Sequence, residues 1–256
     1  MPFRLLPIPP LGLFRAVLIA VTCVSIAHAQ HQPCPAESPG KILEPRQDAP
    51  AESPNPSSAA PEAIFCGRAH VVLEAGGAVD LRLACEAVDD AVGFLVSHGL
   101  DSGQKVSLTI VDELPSRYEL PALGQFDTRH GEIRVLSFAR CLQACIDNPP
   151  FGVPMSSEIH RSFIVHEVIH ALTHVAGTTV DPLKMEYVAY VGQFASMSED
   201  LRERLIAMSG AEPFAKDEEI SIDAYLLEPN RFGVRSWLHF HRAKDGSALL
   251  HRALER

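Results

Sequence analysis

An α+β fold, with a small mixed sheet followed by a mostly helical C-terminal part, is predicted by three features of the sequence. Val106 to Val111 (VSLTIV) and Gly131 to Phe138 (GEIRVLSF) are alternating, β-branched runs that read as strands, with 124–127 (GQFD) as a partner strand between them. Upstream, between Val79 and Leu100, the residues Leu81, Cys85, Val88, Ala91, Val92 and Leu95 recur at helical spacing, which predicts an amphipathic helix laid against that sheet. Downstream of Pro154 the strand signals stop and capped helical periods take over.

The first of these later helices is bounded by Pro149, Pro150 and Pro154, with Ser156 or Ser157 as a cap and Glu158 in the positive first turn. Phe163, Ile164, Val168, Ile169, Leu172 and Val175 form its apolar face, and Gly177 is the expected stop. A second helix opens at Asp181-Pro182, where Asp caps and Pro takes the first helical position, and runs through MEYVAYVGQFASM. A third spans Ser198 to Met208, and 220–254 is helical in pieces broken at Pro229-Asn230 and Asp245-Gly246. The sequence contains no internal repeat.

The N-terminal 29 residues have the three parts of a secretory signal: Arg4 and Arg15 as the positive flank, the short apolar run 16–27 (AVLIAVTCVSIA), and the Ala27-His28-Ala29 cleavage site. That run is too short to span a bilayer, so no stable membrane insertion is expected after cleavage. Residues 30–62, rich in Pro, Ala and Ser, cannot bury enough surface to offset chain entropy and are expected to form a disordered linker. Residues 63–256 are then expected to fold as a single domain. Loss of the leader removes Arg4 and Arg15 and no acid, which moves the formal charge from -10 to -12. An acidic, exported chain is not expected to bind nucleic acid. Five cysteines remain, and the simplest account pairs Cys66 with Cys85 and Cys141 with Cys145, leaving Cys34 spare. A CxxxC metal pair at Cys141 and Cys145 ranks below that pairing, since no second pair has zinc-site spacing.

Within the first C-terminal helix lies FIVHEVIHAL. On an α-helix His166 and His170 are one turn apart on the same face, about 6 Å along the axis, so both imidazoles can reach one tetrahedral ion. Glu167 sits about 100° round the helix, placed to address a water at the ion rather than to bind it. Glu186, on the following helix of an expected antiparallel hairpin, is the preferred third ligand, with a fourth position open to water. Asp181 competes for that role, although as a helix cap it already has backbone donors to satisfy.

His166-Glu167-x-x-His170 followed by Glu186 resembles the zincin metallopeptidases, in particular the gluzincin branch, its minimal members and a group of exported bacterial proteins with an EYxAY-type second helix. The resemblance covers roughly Val106 to Ser196 and implies a zincin-like fold in which an edge strand packs on the HExxH helix; GEIRVLSF is similar to that strand. It further implies Zn²⁺ held by His166, His170 and Glu186, a metal-activated water with Glu167 as general base, and a peptide or protein substrate met in the periplasm or outside the cell. Where gluzincins often place an Asp four residues after the ligand Glu, this chain has Tyr190, which leaves the partner of the zinc histidines unassigned between Asp127 and Asp223. Thr173 and Ala176 stand where metzincins place Gly and the third His, and GTTVD faintly resembles the GTxxD of aspzincins.

A zincin also needs a donor for the developing oxyanion, for which Tyr187, Tyr190, His239 and His241 are candidates, His239 first. His174, two turns beyond His166, reads as a helix-end histidine outside the ligand set, and His160 as solvent-facing. Trp237 to Phe240 read as core. The missing Asp motivates a rival expectation, a zincin-derived binding or scaffold domain of the cell envelope that has lost turnover.

Overall fold

The computed structural model describes residues 19–22, 63–100, 103–114, 122–174 and 181–255. Its elements run β1 (Ile19–Thr22), β2 (Ala63–Cys66), β3 (Ala69–Leu73), α1 (Ala78–Ser97), β4 (Val106–Val111), β5 (Ala122–Asp127), β6 (Glu132–Leu136) and α2 (Phe138–Ala144). They continue through α3 (Ser157–Thr173), α4 (Pro182–Ala195), α5 (Glu199–Ser209), α6 (Ile222–Leu227), α7 (Pro229–Arg242) and α8 (Gly246–Leu254). The fold is α+β, as expected: a six-stranded mixed sheet, then helices.

The sheet order is β1-β5-β6-β4-β3-β2, with β3, β4 and β6 parallel and the others antiparallel to their neighbours. The parallel centre explains the near-continuous apolar run of β4, since a strand covered on both faces has no polar side. Helix α1 makes the crossover from β3 to β4 and packs through Ala84, Ala87, Val88 and Ala91, whose small side chains let α3 come close. The Cys66–Cys85 disulfide forms as expected and ties β2 to α1 across 19 residues, a loop whose closure is worth about 3 kcal/mol.

Helix α3 is enclosed by α1, α4 and the strands β5 and β6, so nearly every one of its residues is buried. This overturns the solvent-facing expectation for His160: it is fully enclosed, and its Nε2–H donates to the Leu136 carbonyl at 2.9 Å. Helix α4 runs back along α3, with Arg161 donating to the Ser196 carbonyl at 2.9 Å near one end and Glu186 beside His166 and His170 further along. Gly192 is the point of closest approach. A Cβ there would stand 2.0 Å from Ile169 Cδ1.

Three further expectations change. GEIRVLSF is not the edge strand: β6 is interior between β5 and β4, the Phe138 of that stretch already belongs to α2, and β5 is the strand that packs most extensively on the HExxH helix. The outer side of β5 is paired antiparallel with Ile19–Thr22, inside the apolar run of the expected leader. Cys141 and Cys145 are both buried and not joined in a disulfide; the Cys141 thiol is instead aimed at the Leu136 carbonyl, 3.7 Å away. Strands β2 and β3 had no counterpart in the sequence reading. Cys34, Gly177 and the 30–62 linker lie outside the described residues. No described helix is long and apolar enough to cross a membrane.

Candidate metal centre

Capping fixes where the two site helices begin. Ser156 accepts from the Ile159 N–H to start α3, and Asp181 accepts from the Leu183 N–H at 3.0 Å to start α4, with Pro182 at the first helical position. Asp181 is thereby occupied as a cap, and the carboxylate that meets the histidines is Glu186. The ligand-type atoms of His166, His170 and Glu186 lie within 4.8 Å of one another.

The distances are informative. His166 Nε2 and His170 Nε2 are 3.0 Å apart, and the Glu186 oxygens approach them at 3.3 and 3.6 Å. Ligand bonds of about 2.0–2.1 Å at tetrahedral angles put neighbouring ligand atoms roughly 3.3 Å apart, and the two imidazoles with one Glu186 oxygen beside each stand close to that separation.

The tautomer of His166 is determined by a chain of hydrogen bonds. Ser162 Oγ gives its proton to the Ile159 carbonyl at 2.8 Å, so it must accept from the Gln193 amide nitrogen at 3.3 Å. That turns the Gln193 carbonyl oxygen towards His166 Nδ1, 3.1 Å away, which must carry the hydrogen. His166 Nε2 is left with a bare lone pair facing His170 and Glu186. Gln193, seven residues after Glu186 and on the same face of α4, thus fills the role expected of Asp127 or Asp223. Asp127 is engaged elsewhere, with the Arg129 N–H and with His130, whose hydrogen bond holds its carboxyl below the usual range.

His166, Glu167 and His170 are 0% exposed and Glu186 3%. Within this closed volume both Glu167 oxygens and His170 Nδ1 lack a hydrogen-bond partner among the described residues, while the Glu186 oxygens have the two imidazoles beside them. Burying two carboxylates beside neutral imidazoles costs several kcal/mol each. Burial, then the neighbouring Glu186, push Glu167 well above the ordinary carboxyl range. For Glu186 burial acts in the same direction, and only protonated His170 and His166 outweigh it, holding the carboxyl at about 2; with the imidazoles neutral, as metal ligands must be, that compensation is lost. A divalent cation would compensate both acids and occupy the imidazole lone pairs. The donor set of two imidazoles and one carboxylate fits such an ion.

Glu167 is seated against β5. A Cβ at Gly124 would stand 2.9 Å from Glu167 Cγ, so glycine is what lets the strand pass this close. Tyr190 stands edge-on to His166 with ring centroids 4.7 Å apart, and buttresses that imidazole. His239 does not join the cluster. Its Nδ1 lies 3.1 Å from the Tyr187 hydroxyl and its Nε2 3.8 Å from Asp217, in a cavity shared with α8. His174 caps the end of α3 and stacks edge-on to Phe126. The tyrosine that does reach the centre is Tyr225 on α6. Its ring packs on Phe232 at 5.6 Å and its phenol lies against Glu186, with Tyr190 and Glu167 in electrostatic reach. Burial, then Glu186, push its ionisation well above the ordinary phenol range, so it remains a protonated donor.

No curated protein and no solved structure matches the chain. A family model matches residues 71–255, a span that includes every residue of the centre. The chain belongs to that family, a family of unknown function (DUF6639).

Proposed function

We propose that this protein is an exported, zinc-dependent metallopeptidase of zincin-like architecture, with His166, His170 and Glu186 as the metal ligands. The observation that carries the reading is the convergence of two imidazole nitrogens and a carboxylate at ligand-ligand distances, with the His166 tautomer locked by Gln193 and a second, orphaned carboxylate alongside. Bound Zn²⁺ would polarise a substrate carbonyl and ease ionisation of a nearby water.

The chain's own residues account for the remaining steps. Glu167, raised by burial and by Glu186, takes the proton from the attacking water and passes it to the leaving amine. Tyr225, rather than His239, donates a hydrogen bond to the oxygen that gains charge as the carbonyl is attacked. Tyr190 keeps the His166 ring in place. The antiparallel edge of β5, which carries Gly124 beside Glu167, is suited to hold an extended peptide. In the full chain Ile19–Thr22 takes that position, and loss of the leader would free it. The Cys66–Cys85 disulfide supports an oxidising destination outside the cytoplasm.

The complete burial of the centre favours a second reading, a binding or scaffold domain that keeps metal without turnover. Glu167→Gln separates the two. A peptidase variant retains zinc and loses cleavage of labelled casein or a mixed peptide library. Zinc with no cleavage by the wild-type chain supports the scaffold, and no zinc in either protein refutes both.

A further inference from the structure

On the side of α4 that carries Tyr187 rather than Glu186, a cavity of about 580 Å³ opens beside α7 and α8. We propose that this cavity is a binding site for a small zwitterion, a free amino acid or very short peptide with an aliphatic side chain.

Its volume suits a small ligand. The wall is apolar: Phe214 and Leu249 are buried residues that line it, with Pro213 and Ala243 at its margin. The floor is polar but uncharged. His239 is held by the Tyr187 hydroxyl at 3.1 Å, and burial outweighs Asp217 in lowering its proton affinity, so the imidazole is neutral near pH 7. Phe214 meets that ring edge-on at 6.2 Å and joins wall to floor.

Charges of both signs also line the cavity. Arg252 and Asp217 both act electrostatically on Tyr187 and on His239, yet they form no ion pair with one another among the described residues. The other charged pair, Arg242 and Glu212, is loosely matched at 4.0 Å and largely solvated, so it contributes little. A simple anion would meet Asp217 and Glu212, and a simple cation would meet Arg252 and Arg242. A zwitterion satisfies both poles: its carboxylate against the Arg252 guanidinium, its ammonium against Asp217, and its side chain on Phe214 and Leu249. The site does not depend on the metal centre, although its ligand class is also what peptide hydrolysis releases.

The test is calorimetric titration of the full chain with L-leucine, N-acetyl-L-leucine and L-leucinamide. Leucine is expected to bind at least about ten-fold more tightly than either blocked form, the loss of one charge-assisted contact. Arg252→Gln should remove that advantage over leucinamide and Asp217→Asn that over N-acetyl-leucine, with melting temperatures unchanged because both side chains are solvent-facing. Absence of leucine binding at millimolar concentration overturns the proposal. So does equal affinity for all three probes, or binding indifferent to both substitutions. Each outcome stands whether or not the chain holds zinc, so failure here is separable from failure of the peptidase reading.

Discussion

Replacing Gln193 with Leu probes the centre without touching a metal ligand. The two side chains have similar volume, so the buried α3–α4 contact keeps its packing, and the change is confined to hydrogen bonds. The wild-type residue accepts from His166 Nδ1 at 3.1 Å and donates to Ser162 at 3.3 Å. Leucine leaves a buried imidazole N–H unpartnered, at about 1–3 kcal/mol, and releases the ring to move its hydrogen to Nε2. Loss of such a partner typically lowers metal affinity about 10–100-fold, or about 1.4–2.8 kcal/mol. Competition of purified wild-type and variant chains with a chromogenic zinc chelator measures this directly. Gln193→Glu, which restores an acceptor, should recover most of the affinity. Equal affinity in wild type and Gln193→Leu would show that His166 Nε2 is not a ligand, and the tautomer argument would fail.

Tyr225→Phe should lower peptide turnover about 10²–10³-fold with zinc content intact, whereas His239→Gln should leave turnover near wild type; the reverse pattern would return the oxyanion role to His239. Gly124→Val places side-chain atoms where Glu167 packs, so cleavage should collapse while zinc stays bound, and an active variant would mean that Glu167 is not held by β5. His160 is held below its ordinary pKa by burial, so the unfolded chain binds its proton first. Its contribution to stability is therefore present above about pH 6.5 and is lost as the pH falls below it. Urea midpoints between pH 7.5 and 5 should fall less steeply in His160→Gln than in wild type, and parallel curves would contradict this.

The His166, His170 and Glu186 cluster was legible because local geometry brings its members together. One helical turn relates His166 to His170, and a short hairpin with a recognisable Asp-Pro start brings Glu186 back to them. Gln193 was missed although it left a signal: an amide within the apolar run VAYVGQFA, two turns beyond Glu186 on the same face. Tyr225 left almost none, since α6 has only six residues and meets the centre through tertiary packing on Phe232. The same limit explains the exchange of β5 and β6, because strand order depends on partners distant in sequence. His160 was misread for a different reason. It lies off the apolar stripe, but α3 is covered on all sides, so a stripe no longer distinguishes inside from outside.

Zinc bound per chain after dialysis, measured for the wild type, Glu186→Ala and Glu167→Gln, tests the centre most directly. A single ion is predicted in the wild type and in Glu167→Gln, and a near-complete loss in Glu186→Ala. A wild-type chain that retains no metal, or a Glu186→Ala chain that retains it fully, would contradict the assignment of His166, His170 and Glu186 as one ligand set.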